Sequence, residues 1–163
     1  MKLDALSLAD VEEVRAWRNA ALSSLRTPFL LTAEMQEDFY RNLTRYSRDR
    51  YWAIRVSGGL IGMAGLVGIE WENRLAEISL IISPDCRGAG YGKQAVDLLL
   101  HEGFNNMALE NIYGECYECN PAIDFWRKLA AQYKAYMTTL PSRKYWNGSY
   151  WGSLYFNFRR QDC

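Results

Sequence analysis

Apolar residues along this chain keep changing period, and each change marks an element. Residues 2–6 read as a short strand. Behind it, Ser7 with Asp10 three residues later makes the pattern of a capping box. Val11, Val14 and Trp17 then share one face of a helix reaching about Asn19. Thr32 is placed to cap a second helix running to about Tyr46. Residues 52–56 return to a strand and Gly58-Gly59 signals a hairpin. Residues 60–69 and 75–82 form two further strands joined across Asn73-Arg74. After a loop over residues 84–90, Val96, Leu99, Leu100 and Gly103 fall at i, i+3, i+4 and i+7, which predicts a helix to about Phe104. Residues 111–118 read as a strand, 121–131 as a helix, and 133–140 and 149–158 as two closing strands. The order β-α-α-β-β-β-α-β-α-β-β implies an α+β fold, a mixed and mostly antiparallel sheet of six to seven strands with helices on both faces.

Length and charge narrow the picture. A chain of 163 residues holds one domain, spanning 1–163, that buries roughly 70% of its unfolded surface without needing a metal or a disulfide. Nineteen basic against nineteen acidic residues leave no net charge, which disfavours a protein built to neutralise a nucleic-acid backbone. No apolar run approaches membrane-spanning length, and Met1-Lys2-Leu3-Asp4 lacks the start of a signal peptide, so the expectation is a soluble, cytoplasmic protein. A lone histidine, His101, offers little to a metal centre. Of the four cysteines (Cys86, Cys116, Cys119 and Cys163), Cys116 and Cys119 form one C-x-x-C inside a strand pattern, where a separation of three sends the side chains to opposite faces. Reduced structural thiols and no metal are expected. Locally the charge is uneven: six acids and no Lys or Arg lie between Gln94 and Trp126, and five bases against Asp162 lie from Lys134 onward.

The densest chemistry is Ile81-Ile82-Ser83-Pro84-Asp85-Cys86-Arg87-Gly88-Ala89-Gly90-Tyr91-Gly92-Lys93. A buried strand runs into alternating glycines that open directly into an amphipathic helix. Glycines allow positive φ and a close ligand approach, and the helix start presents free N–H groups to a pyrophosphate. Arg87 and Lys93 add positive charge there. Lys93 is followed by Gln94, so a P-loop does not fit, and the glycine spacing does not match a dinucleotide fingerprint.

On those residues the chain resembles the GNAT N-acetyltransferase superfamily. Arg87-Gly88-Ala89-Gly90-Tyr91-Gly92 matches its R/Q-x-x-G-x-G/A loop, and the segment from Asn120 to Leu129 resembles its N-x-x-A-x-x-[FY]-Y-x-K-L-G-F helix. Trp17-Arg18-Asn19, the Glu70 to Ile78 hairpin and Gly148-x-Tyr150 resemble the ribosomal-protein N-terminal and amino-sugar acetyltransferase branch. The resemblance implies a GNAT-like three-layer α/β/α fold and an acetyl-CoA-dependent enzyme acetylating a primary amine. It implies cofactor contacts from Ile81, Ile82, Arg87, Gly88, Ala89, Gly90, Tyr91, Gly92, Lys93, Asn120 and Trp126. Trp126 stands where many members carry a proton-donating Tyr, and an indole cannot give up its proton. Ala130 replaces the usual Gly.

Amide formation from a thioester needs a neutral amine, and an alkylamine is only ~0.04% neutral at pH 7. The resemblance puts a catalytic glutamate at Glu70, a role that requires burial, a raised pKa or a water relay. Glu72 is a lesser candidate on the same side. Glu77 and Glu115 are expected to face the acceptor groove. For the leaving thiolate, Tyr113, Tyr117 or Tyr150 donates, or the thiolate departs unaided. Eight aromatic residues crowd the last thirty positions, enough for core, for a homodimer contact and for acceptor contacts through Tyr150. Arg143 and Lys144 there would pair with phosphate, and Arg18 is a further anion contact. The acceptor is then a nucleotide-linked amino sugar or a protein N-terminus. Two other classes stay open: a non-catalytic acyl-CoA-binding regulatory domain, and an acetyltransferase acting on nucleic acid.

Overall fold

The computed structural model describes residues 1–26, 28–43 and 45–162; Cys163, counted among the cysteines above, lies outside them. Seven strands form one sheet: β1 (Lys2–Asp4), β2 (Arg50–Val56), β3 (Gly59–Glu70), β4 (Leu75–Ile82), β5 (Asn111–Tyr117), β6 (Tyr136–Trp146) and β7 (Ser149–Arg159). Their order is β1-β2-β3-β4-β5-β7-β6, and every pairing is antiparallel except β4 with β5. Helices α1 (Leu8–Asn19) and α2 (Ala33–Asn42) lie against one face, and α3 (Tyr91–His101) and α4 (Ile123–Gln132) against the other. The expected mixed, mostly antiparallel sheet with helices on both faces is present.

The capping box is real. The Ser7 hydroxyl accepts from the Asp10 amide at 3.2 Å while Asp10 Oδ2 accepts from the Ser7 amide at 2.8 Å. Arg55 of β2 reaches the same carboxylate at 2.8 Å, tying α1 to the sheet. The main core fills the space between the sheet and α3 and α4, with Ile54, Leu66, Leu99, Ile112, Phe156 and Phe158 buried together. A second, smaller cluster of Val11, Val14 and Met63 seats α1.

Several boundaries depart from the sequence reading. The second helix stops at Asn42, well before Tyr46, with Leu43 leaving helical geometry. The Arg50 guanidinium then gathers the carbonyls of Arg45, Ser47 and Asp49 and shapes the following loop. Tyr133 belongs to the end of α4, and the chain reverses through Lys134 at φ 52°, so β6 begins only at Tyr136. The positive φ falls on Lys134, which is why Ala130 serves where relatives of the resemblance carry Gly. β6 continues beyond Leu140 through Pro141 because it is an edge strand and breaks register between Leu140 and Lys144, where a proline costs little. Of the eight late aromatics, Phe156 and Phe158 are fully buried, while Tyr136, Tyr145, Tyr150 and Trp151 stay exposed.

Candidate active site

The sheet is built to part at one place. β4 and β5 pair over only three rungs, Leu75 with Asn111, Ala76 with Ile112 and Glu77 with Tyr113. Past Glu77, β4 keeps only β3 as a neighbour and β5 keeps only β7. The two strands therefore diverge into a wedge whose walls are the backbone edges of Ile78–Ile82 and Gly114–Tyr117. Gly114 stands at its apex for lack of room: a Cβ there would lie 2.4 Å from the Phe156 ring.

At the open end of β4 the glycine loop turns into α3. Gly88 and Gly90 have φ of 78° and 81°, and a Cβ on either would meet nothing within 4 Å. Backbone conformation, not crowding, is what demands glycine at both. Gly90 is the N-cap of α3, and no side chain caps the first turn. The first N–H groups of a helix have no intrahelical partner, so this loop offers donors and a positive dipole end to an anion. Ala89 lies exposed between the two glycines, and Tyr91 packs on the core below them. Arg87 folds back so that its Nε donates to the Ile82 carbonyl at 3.2 Å. Lys93 is drawn one turn along α3 to Asp97, at 2.9 Å, over the Tyr133 ring. Ile81 and Ile82 end β4 with their backbone on the wedge.

Asn120 closes a tight turn: its Oδ1 accepts from the Ala122 amide at 2.9 Å at the start of α4. Trp126 is buried and stacks on Phe156 at 4.8 Å, so the ring expected against the cofactor is a core ring. Its neighbour Phe125 takes the position facing the loop, since a Cβ on Gly92 would lie 3.2 Å from that ring. Helical spacing cannot say which of two adjacent aromatics turns inward; packing on Phe156 does.

On the α1 and α2 side of the sheet, alternation collects Glu70, Glu77, Tyr113, Glu115 and Tyr155 on one surface. Glu77 sits at the last shared rung, with its side chain 17% exposed. Burial pushes its carboxyl above the usual range; the Arg26 guanidinium pulls the other way and Glu115 adds to the rise. Tyr113 stacks on Tyr155 at 5.8 Å, and its hydroxyl is raised by burial and by the Glu77 charge. Glu115 is held low by Arg143, 2.8 Å away, and by the Ser153 hydroxyl at 2.6 Å. Tyr51 packs under Phe39 with its hydroxyl bonded to Ser79, and Arg18 of α1 lies close enough to affect its titration.

Three expectations change. Glu70 is an exposed hairpin carboxylate, 40% exposed, held by Asn73 at 2.8 Å and Arg48 at 3.6 Å. The burial demanded of a base is found at Glu77. Tyr150 is 71% exposed at the β6–β7 hairpin, five residues along β7 from Tyr155, which is about 17 Å. Arg143 and Lys144 are not a phosphate pair: Arg143 is committed to Glu115, and Lys144 is buried, donating to the carbonyls of Leu22, Ser23 and Leu25. Lys144 keeps the face it shares with Leu140 across the register break in β6, and what buries it is the stretch 22–25 folded over that face, which alternation alone would not show.

Sequence reasoning missed Arg26, which pairs with Glu77 and lies 3.8 Å from Glu115. It sits in a stretch without period, where nothing in the sequence announces a contact. Cys116 is buried in β5 with its thiol pushed up to about 12 by burial. Cys119 lies beyond the strand end, its Sγ 3.5 Å from the Ser23 carbonyl, so the two sulfurs are separated by the end of β5 rather than by its pleat. Among the described residues no helix is long and apolar enough to cross a membrane.

A family model described as an acetyltransferase (GNAT) domain matches residues 1–124. The spermidine N(1)-acetyltransferase of Escherichia coli strain K12 is 31% identical over 93 residues, covering 56% of this chain and 50% of that protein. The spermidine N(1)-acetyltransferase of Vibrio cholerae is 25% identical over 96 residues, covering 59% and 56%. The match thus spans about half the length of these curated relatives. A crystal structure of spermidine N-acetyltransferase from Vibrio cholerae in complex with CoA and spermine superposes with a TM-score of 0.87 at 20% identity, over 99% of this chain and 96% of that one, which shows the shared fold. These relatives are polyamine enzymes, not members of the ribosomal-protein or amino-sugar branch that the Trp17-Arg18-Asn19 pattern suggested.

Proposed function

The chain belongs to the acetyltransferase (GNAT) family, and from that premise we propose that it transfers an acetyl group from acetyl-CoA to a primary amine of a polyamine. The observation that carries this reading is the half-buried, proton-attracting Glu77 at the mouth of the wedge, with further carboxylates on the same surface. An elongated polycation needs acceptors spaced along its length. Glu77, Glu115 and the outer Glu70 supply them, and a nucleotide-linked sugar would find both nearby late-strand cations already engaged.

Acetyl-CoA supplies the activated acyl group. The loop fits its pyrophosphate: Gly88, Ala89 and Gly90 bring the backbone close, and Tyr91, Gly92 and Lys93 present the uncapped N–H groups of α3. Arg87 and Lys93 reach outward from Ile82 and Asp97 to add charge. The unpaired edge of β4 through Ile81 and Ile82 hydrogen-bonds the pantetheine arm, with Phe125 and the Asn120 turn closing the α4 side. Trp126 supports that wall from behind.

For the chemistry, Glu77 accepts a proton from the substrate ammonium, directly or through one water. The freed amine nitrogen attacks the thioester carbonyl carbon, a C–N bond forms and the C–S bond breaks. N–H groups on the β4 edge stabilise the charge that develops on the carbonyl oxygen. Tyr113, kept protonated by its surroundings, donates to the departing thiolate, and the second proton that the nitrogen sheds as the amide forms returns through water to the phenolate. Glu70 and Glu115 hold the remaining ammonium groups, and Arg18 stands beside Tyr51 at the far wall. The exposed rings of the β6–β7 hairpin, Tyr145 and Tyr150 among them, suit contact with a second copy.

The test is turnover of acetyl-CoA, followed by thiol release, across spermidine, spermine, 1,4-diaminobutane, N-terminal peptides and nucleotide amino sugars. Preferred turnover of the polyamines is expected. Acetylation confined to peptides or sugars would overturn the acceptor assignment, and acetyl-CoA binding without turnover of any amine would overturn the enzymatic one.

A further inference from the structure

The connection between α1 and α2 is tied down at three points. At its base the Asn19 side chain both donates to and accepts from the Leu31 backbone, at 3.0 and 2.8 Å. At its near end the short turn Leu22–Ser24 is clamped by the buried Lys144. That ammonium donates to the Leu22 and Ser23 carbonyls at 3.3 and 2.7 Å and to that of Leu25, and lies 5.0 Å over the Tyr117 ring and 5.2 Å over Trp146. Cys119 adds a contact to the Ser23 carbonyl. The next residue after this clamp is Arg26, whose guanidinium lands on Glu77 and near Glu115.

We propose that Arg26 is a built-in competitor for the acceptor amine: its guanidinium fills the place on Glu77 that a substrate ammonium must take, and so sets the affinity threshold of the site. The inference rests on the reading of this surface as the acceptor site. Among the described residues Arg26 is the one cation paired with Glu77, whereas Glu115 keeps Arg143 and Ser153 when Arg26 leaves. Arg26 is 56% exposed, so swinging its head into water costs little desolvation. The clamp ends one residue before it, so its side chain moves while the backbone stays. A tethered guanidinium acts at an effective concentration in the millimolar range. Every amine pays the same factor to displace it, and an amine with several ammonium groups recovers that factor at Glu115 and Glu70 while a monoamine does not.

The experiment is steady-state kinetics of Arg26→Gln and Arg26→Lys with spermidine and with butylamine, alongside calorimetric titration of spermidine into each protein saturated with CoA. An ion pair whose cation stands largely in water is worth up to about fivefold in an equilibrium constant. Arg26→Gln is expected to lower the amine KM about threefold to fivefold for both amines, with the acetyl-CoA KM unmoved. Arg26→Lys retains a tethered cation and is expected to stay near the wild-type KM. An unchanged or raised amine KM in Arg26→Gln overturns the proposal, because Arg26 then supports the substrate or does nothing. A fall in kcat without a fall in KM overturns it too, because Arg26 then orients Glu77. Where no amine turns over, tighter spermidine binding by Arg26→Gln than by wild type upholds the competitor and removes the enzymatic reading. Equal binding by the two removes the competitor.

Discussion

Glu77 and Tyr113 stand side by side on the last rung that β4 and β5 share. Burial raises both groups, and the Glu77 charge raises Tyr113 further. One contact thus separates two roles, a carboxylate that attracts a proton and a phenol that keeps one. Replacing Glu77 with Gln should lower kcat/KM by ~10²-fold or more, the scale of a general base. Because its pKa lies above the ordinary Glu value, activity in the wild type should fall as pH drops through a value above 4.5. That acidic limb should vanish from the kcat/KM profile of Glu77→Gln, and its persistence would remove Glu77 from the role.

Tyr113→Phe should lower kcat by roughly 10- to 100-fold with acetyl-CoA affinity retained, if the hydroxyl protonates the thiolate. The matching control is Glu70→Gln, which should raise the amine KM severalfold and move kcat less. Kinetics with the roles of Glu70 and Glu77 exchanged would return the base to the hairpin.

The loop is tested at two glycines that fail for different reasons. Gly90 needs φ of 81° but has open space around it, so Gly90→Val should cost about 1–2 kcal/mol or more in folding and abolish acetyl-CoA binding. Gly92 has ordinary φ but faces Phe125 at 3.2 Å, so Gly92→Ala should disturb the Phe125 wall with a smaller stability loss. Calorimetry with acetyl-CoA and denaturant unfolding read the two effects separately.

Adjacent rings on α4 should behave in opposite ways. Trp126→Ala removes a buried ring stacked on Phe156 and should destabilise by about 3–5 kcal/mol, while Trp126→Phe should cost less. Phe125→Ala should be mild in unfolding and should weaken acetyl-CoA binding. Equal effects of both alanine variants on binding would place Trp126 in the cofactor wall.

Asp10 governs acid stability at the α1 end. Burial works to raise its pKa, but hydrogen bonds from Ser7 and Arg55 outweigh it and hold the carboxyl below 3.8. A depressed folded value stabilises the fold above the unfolded pKa, and that stability is lost as pH falls through the folded value. Asp10→Asn should therefore cost about 2–4 kcal/mol at neutral pH, with Arg55 left only the more distant Asp4, 3.7 Å away, and the gap to wild type should close at low pH. Urea unfolding at pH 7 and pH 3 measures it.

Local rules of sequence determined much of this protein. Period and caps placed the seven strands and four helices, because an amphipathic face and a Ser7–Asp10 box are properties of neighbours along the chain. The alternating glycines announced a tight turn into α3, since Gly88 and Gly90 carry the positive φ that side chains resist. Strand alternation also put Glu77 and Glu115 on one face of the sheet. Only the tertiary structure decided which of those groups meet. The short pairing of β4 with β5 made a wedge, and burial at its mouth falls on Glu77 and much less on Glu70. The stretch 22–25, more than a hundred residues away, buried Lys144 by bringing its carbonyls to the ammonium, and Phe156 chose Trp126 over Phe125 for the core. Burial, charge pairing and ring packing depend on atoms brought together from distant parts of the chain, and no local pattern in a single sequence encodes which of them will meet.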